Sequence, residues 1–440
     1  MKVLWLCNVL LPKVANHIGE KINPNGGWMV GLSDSLITND DIELTVVFPL
    51  SSSESIISGE IESIKYYGFP QRKASIKYDT KTEIYLSNIV SKAKPDIIHI
   101  WGTEYPHTLA MMNVCESMGI TDKVLISIQG LCSIISKHYL SGLPYSVVTS
   151  YTLRDIIRHE NISKQQKNFK IRGKFEVEAL KKAKHVDGRT TWDKACVMQV
   201  NPDIKYYYCP RMIRRSFYEH QWNIQNCETY SIFISQANYP IKGLHFMLEA
   251  MPTILNRFPS TKLYVAGNNI ASTDTLKTRI KQSSYGMYLK QLINKYHLEN
   301  KVFFTGSLDE EKMCDRFLKS HVFVLPSTIE NSPNSLGEAM LLGVPSIASD
   351  VGGVKDMMIH EVDGFVYQHD APYMLAYYVC EIFENSNLAM KFSTSSHNHA
   401  MQTHDRKKNV ETMLSIYNDI YSGNKARDLL CFPSLVRLDR

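Results

Sequence analysis

The sequence predicts an α/β protein made of two doubly wound parallel-sheet domains. Three observations carry that expectation. The chain has 440 residues, more than one hydrophobic core ordinarily serves. Short apolar runs rich in Val and Ile, bounded by Gly, Pro or Asp, recur along it and read as parallel strands buried on both faces. Between them lie segments with helical spacing, so strand and helix alternate almost throughout.

Taken in order, the first strands are VLWLC, ELTVVFP, DIIHIWG and KVLISIQG. The second half repeats the scheme. SIFISQA precedes a helix carrying Phe246, Met247, Ala250, Met251, Ile254, Leu255 and Phe258. KLYVAG follows, then a helix near Tyr288–Tyr296, KVFFTG, a helix near Glu311–Ser320, HVFVLPS, a helix near Ser335–Leu342, and PSIASD. The polar stretch YEHQWNIQNCE places the join near Ser216–Asn226. The expected domains are therefore 1–215 and 216–400. The remaining 401–440 holds a helix near Val410–Tyr421 that crosses back to the first domain. Ligands of such sheets bind beyond the carboxyl ends of the strands, here in a central cleft.

Composition narrows the class. At 44% hydrophobic and 21% charged residues the chain is globular. Nine cysteines without a Cys-x-x-Cys pair argue against a disulfide framework or structural zinc, and suit a reducing cytoplasm. The opening MKVLWLCNVLLPKVA reads as a buried strand and not as a signal peptide, because Asn8 interrupts the apolar run. No stretch approaches the roughly 20 apolar residues that span a bilayer. The net charge of +5 is uneven: residues 1–215 hold 28 basic and 21 acidic side chains, residues 216–440 hold 21 and 23. Part of the excess is Lys164, Lys167, Lys170, Arg172, Lys174, Lys181, Lys182 and Lys184. These form either a solvated helix face or a surface for peripheral contact with an anionic membrane. No nucleic-acid motif accompanies them.

The densest chemical signal is Glu330-Asn-Ser-Pro-Asn-Ser-Leu-Gly-Glu338, directly after the strand HVFVLPS. A loop feeding a helix leaves amides unpaired at the helix start. Ser332 suits the N-cap and Pro333 the first helical position. The amides of Asn334, Ser335 and Leu336, with the helix dipole, then suit a diphosphate. Glu330 and Glu338 can each accept hydrogen bonds from vicinal hydroxyls. His397, His399 and His404 lack the spacing and companions of a metal site and read as a solvated, His-rich helix.

Glu-x7-Glu, followed by AMLLGVPSIASDVGG and Asp356 and preceded by Pro-x-Lys-Gly in YPIKG, resembles the retaining glycosyltransferases of family 4, which have the GT-B fold. The resemblance runs from SIFISQANYPIKGL to DGFVY and is weaker at MKVLWLCN…GGW and KPDIIHIWG. It implies that Glu330 holds hydroxyls of a donor sugar and Glu338 those of the nucleotide ribose. Lys242 would neutralise the diphosphate as it leaves. Gly306 and Leu308, in Gly306-Ser307-Leu308, would meet the base, and Gly26 and Gly27 would let the backbone approach the donor phosphates. A UDP- or GDP-sugar would be a substrate, and no cofactor or metal is expected, since no Asp-x-Asp occurs.

Two positions depart from the family pattern. Ala237 stands where a cation is usual, with Arg189 as a candidate substitute, and Gln129 stands where many members have a histidine. Gln129 can position a hydroxyl but cannot act as a base. His107 is a further candidate for the cleft, read first as structural. Retention of configuration, with the leaving phosphate taking the acceptor proton, needs no strong protein base. The acceptor would be a glycan or lipid-linked, as in surface polysaccharide assembly at the cytoplasmic membrane face. The rival readings are a GT-B sugar-nucleotide epimerase or phosphorylase, and a non-catalytic GT-B scaffold. Release of free nucleotide in the presence of an acceptor separates transferase from scaffold.

Overall fold

A computed structural model describes residues 1–21, 27–71 and 76–423. The chain divides into two compact units. Of the described residues, one takes those within 1–133, 171–212 and 405–423, and the other takes 134–170 and 213–404.

The sheet of the first unit has strands β1 (Lys2–Cys7), β2 (Glu43–Leu50), β3 (Ile57–Ile61), β4 (Ile64–Pro70), β5 (Ile97–Trp101), β6 (Val124–Ser127), β7 (His185–Gly188) and β8 (Lys205–Tyr208). Their order is β3-β4-β2-β1-β5-β6-β7-β8. All neighbours are parallel except β3 and β4, an antiparallel edge hairpin. In β1 every residue after Lys2 is buried, which is why VLWLC lacks polar alternation. The order reverses beside β1, flanked by β2 and β5, so the carboxyl ends of these strands frame a crevice.

The helix Arg406–Ser422 completes this unit. Trp5 Nε1 donates to the Tyr417 hydroxyl at 3.0 Å, and His99 Nδ1 lies 2.7 Å from the same oxygen. His99 Nε2 meets Ser127 Oγ at 2.6 Å, and Ser127 donates to Asp187, which pairs with Arg211. A fully buried Asp and a nearly buried Arg persist here because each has its counter-ion and hydrogen bonds. Arg211 holds the Asp187 carboxyl down at about 2 against the opposing effect of burial.

The second unit has an all-parallel sheet of β9 (Glu228–Ile234), β10 (Lys262–Val265), β11 (Val302–Phe304), β12 (Ser320–Leu325), β13 (Ser346–Ser349) and β14 (Phe365–Tyr367). The order is β11-β10-β9-β12-β13-β14, reversing between β9 and β12. Its core joins Phe233, Leu263, Phe323 and Ile347 from the sheet to Met247, Leu341 and Val379 from the helices. The helix Leu244–Arg257 buries the apolar stripe that its sequence displays.

Residues 134–170 join this second unit, whereas the division at 215/216 assigned them to the first. Tyr139 is 1% exposed within the second core. Buried Asp155 accepts hydrogen bonds from Ser284 N at 3.1 Å and Ser284 Oγ at 2.5 Å. Among the described residues, no helix is long and apolar enough to cross a membrane.

Candidate active site

Because the second sheet is parallel, the loops after β9, β11 and β12 leave it along the same edge. Lys242 lies after β9, Gly306 after β11 and Glu330 after β12. The loops after β9 and β12 are fastened together at the switch point. Thr328 N donates to Ile241 O at 2.8 Å. Gly243, at φ +70°, closes the turn Pro240–Lys242 so tightly against β12 that a Cβ there would lie 1.7 Å from Pro326 O. No other residue type fits without moving one of the two loops.

This fastening brings two of the sequence candidates into direct contact. Lys242 Nζ lies 2.6 Å from Glu330 Oε1, and the side chains are 21% and 11% exposed. Ser327 Oγ donates to the same carboxylate oxygen at 2.7 Å, and Gly353 N donates to Glu330 O at 3.2 Å. Glu330 is therefore held from its side chain and its backbone, with a cation beside it. Such a pair can grip a sugar hydroxyl with the carboxylate and a phosphate with the ammonium.

Glu338 does not join that pair. It lies in the helix Asn334–Leu342 and faces Arg214, with Oε1 at 2.7 Å from the guanidinium Nη2 and 2.9 Å from Nε. Burial still pushes the Glu338 carboxyl up to about 7, outweighing Arg214, with Glu310 adding repulsion. Arg214 was not picked out from the sequence, because it is 124 positions from its partner.

The helix that carries Glu338 starts one residue later than its sequence suggests. Pro333, with extended ψ of 118°, is the N-cap, and Asn334 is the first helical residue. Leu336 N donates to Pro333 O at 3.0 Å, closing a tight first turn, so its amide is engaged and leaves the proposed diphosphate set. The amides of Asn334 and Ser335 have no partner among the described residues. Gly306 bridges Gly267 through Gly267 N to Gly306 O at 2.9 Å and has open space beside it. Leu308 is half-buried against the core. Gly26 lies outside the described residues, and Gly27 is the first residue of the helix Gly27–Ile37.

Ala237 is 2% exposed and packs into the core, so no cation stands at that position. Arg189 and Gln129 both belong to the first unit, where they meet each other. The Arg189 guanidinium reaches Ile128 O, Gln129 O and Gln129 Oε1 at 3.4, 3.3 and 3.4 Å. It is 7% exposed, and burial lowers it to about 10. Arg189 is thus engaged with the end of β6.

His107 joins Asn8 at the end of β1 to Gln71 after β4, the latter at 3.0 Å. Burial drives its imidazole down to about 3, so it is a neutral connector. Beside it in sequence, Glu104 was missed. Its Oε1 accepts from Gly130 N at 3.0 Å, its Oε2 is buried with no partner among the described residues, and burial raises it to about 7.

The His-rich helix is not simply solvated. His399 pairs with buried Asp363 at 2.7 Å, His397 meets Leu341 O at 2.5 Å, and His404 is 5% exposed against Gly337. No group that could hold a metal ion occurs among the described residues.

Residues 215–399 match the family described as glycosyl transferases group 1. Over 141 residues the chain is 29% identical to an uncharacterized glycosyltransferase of Methanocaldococcus jannaschii, a match covering 32% of each protein. The chain thus spans about a third of that relative's length. It superposes on sucrose-phosphate synthase from Thermosynechococcus elongatus with TM-score 0.67 and 14% identity, over 96% of this chain and 100% of that one. It also superposes on HepE of Anabaena in complex with UDP-glucose, with TM-score 0.62 and 14% identity, over 95% and 100%. At these identities the superpositions show the fold, which is GT-B. Fold and matched segment together define the class: the chain has the GT-B fold, and its residues 215–399 match the glycosyl transferases group 1 family. The family 4 resemblance of its motifs is consistent with that placement.

Proposed function

We propose that the chain transfers a sugar from a nucleotide-sugar donor to a glycan or lipid-linked acceptor, with retention of anomeric configuration and without a metal. The observation that carries this reading is the Lys242–Glu330 pair at the switch point of the second sheet. When a donor binds, Glu330 accepts hydrogen bonds from sugar hydroxyls, and Lys242 turns to the diphosphate. There it stabilises the negative charge that grows as the glycosyl–phosphate bond breaks. The amides of Asn334 and Ser335 add partial positive charge at the helix start. Glu338 accepts from the ribose hydroxyls, with Arg214 favouring its ionised form. The leaving phosphate takes the acceptor proton, so no protein base is required. Gln129 positions a hydroxyl. A UDP-sugar is the first donor to try, because the superposed HepE structure holds UDP-glucose; GDP-sugars are the second. The setting would be surface polysaccharide assembly at the cytoplasmic face of a membrane.

The test is chromatographic release of nucleotide from UDP- and GDP-sugars with a panel of glycan and lipid-linked acceptors. Wild type should turn over one donor class, and Lys242→Ala should do so about 10²- to 10³-fold more slowly. The buried Ala237 favours one rival, a non-catalytic module. That rival predicts donor binding with no acceptor-dependent release in either protein.

A further inference from the structure

Two short helices of the second unit point their apolar residues the wrong way for a water-exposed protein. In the helix Leu153–Arg158, Leu153, Ile156 and Ile157 are 54%, 57% and 65% exposed. Their i, i+3, i+4 spacing puts them on one face. In the helix Leu276–Lys281, Leu276 and Ile280 are 76% and 48% exposed at i, i+4. The two helices pack against each other. Each is fixed by a capping box, Thr152 with Asp155 and Thr275 with Thr278. Tyr145 and Tyr151, 82% and 64% exposed, precede the first helix. Single exposed aliphatics are ordinary, but adjacent capped helices that both display their apolar stripe mark a surface that something covers.

The charges say what covers it. Residues 151–170 and 274–281 hold eight basic side chains, Arg154, Arg158, Lys164, Lys167, Lys170, Lys277, Arg279 and Lys281. They hold three acidic ones, of which Asp155 is buried. Between the helices opens a cavity of about 430 Å³ bordered by Arg154, Arg158 and Lys281 and by Asn268 and Asn269. Apolar tips ringed by cations, with tyrosines at the margin, match the boundary between acyl chains and anionic headgroups.

We propose that this face, built from residues 145–158 and 276–281, docks the protein on an anionic lipid bilayer by inserting its aliphatic side chains beside lipid phosphates. The lysine stretch 164–184 supplies charge alone, whereas this surface adds insertion. Lys242, Glu330 and Glu338 do not line the cavity, although Tyr239 and Pro240 of the turn that carries Lys242 do; the exposed aliphatic side chains on which the inference rests have no part in the transfer chemistry.

The experiment is sedimentation of the full chain with vesicles of phosphatidylglycerol and phosphatidylcholine, at low and high salt. Ile157→Ser/Leu276→Ser and Arg158→Ala/Lys281→Ala are compared with wild type, and light scattering gives each oligomeric state. Donor turnover in solution, measured alongside, should not change in either variant. Wild type should bind the anionic vesicles. The apolar variant should lose about tenfold or more in partition, from the area that two aliphatic side chains no longer bury. The charge variant should bind more weakly, most clearly at low salt. Two results overturn the proposal: an apolar variant that partitions like wild type, or a wild type that ignores anionic vesicles. A wild-type dimer that the apolar variant dissociates, with vesicle binding unchanged, assigns the face to a second copy instead.

Discussion

Glu338→Gln removes an ionisable group whose cost depends on pH. Burial raises the Glu338 carboxyl from 4.5 to about 7. An acid with a higher pKa folded than unfolded keeps its proton preferentially in the native state. Its favourable contribution is complete below about pH 4.5, diminishes as pH rises and is gone above about pH 7. Each tenfold change in the protonation equilibrium is about 1.4 kcal/mol, so the whole span is about 3 kcal/mol. Glutamine resembles the neutral acid in shape and does not titrate. Every other group is common to both proteins, so the stability of the variant relative to wild type should rise by about 2 to 3 kcal/mol between pH 5 and pH 8. The assay is urea unfolding of both proteins across that range. The second-unit transition is followed through Trp222, the single tryptophan of residues 134–170 and 213–404, whose Nε1 donates to Ser320 O. A stability difference that does not vary with pH would refute the reasoning, because Glu338 would then titrate alike in both states. The same ionisation should govern the ligand: nucleotide affinity of wild type increases as pH passes about 7, and that of Glu338→Gln does not.

Other outcomes follow from the same geometry. Lys242→Ala should lower turnover by about 10²- to 10³-fold with the fold intact by circular dichroism, as expected for loss of one charge-stabilising group. Gly243→Ala should destabilise the second unit by more than about 2 kcal/mol in chemical unfolding, because its Cβ would meet Pro326 O. Tyr417→Phe leaves Trp5 Nε1 and His99 Nδ1 without their shared partner. It should cost about 1 to 3 kcal/mol in the transition of the first unit.

The strands and helices that build the candidate site were legible because each writes its burial locally. HVFVLPS is apolar at nearly every position and is buried throughout β12, and the apolar positions of Leu244–Arg257 repeat at helical spacing. The Glu330 loop was legible from its place between a buried strand and a helix start. What escaped was set by tertiary contact. The edge hairpin β3–β4 is short and half-exposed. Residues 134–170 follow first-unit strands in sequence but are drawn into the second unit by Tyr139 and by the Asp155–Ser284 hydrogen bonds. Leu153, Ile156 and Ile157 carry the spacing of a core-facing stripe, and only the structure shows that they face outward. The one-residue delay of the helix at Asn334 is a matter of how the first turn closes, which residue type alone does not decide.

The central claim is that a nucleotide-sugar donor occupies the carboxyl edge of the second sheet, held by Lys242, Glu330 and Glu338. Calorimetric titration of UDP-, GDP-, ADP- and dTDP-sugars, without metal, onto wild type and Glu338→Ala tests it most directly. The account predicts that one nucleotide class binds wild type and that the substitution weakens it by about tenfold or more, the loss of hydrogen bonds to a charged group. Equal affinity in both folded proteins, or no binding of any donor to wild type, would contradict it.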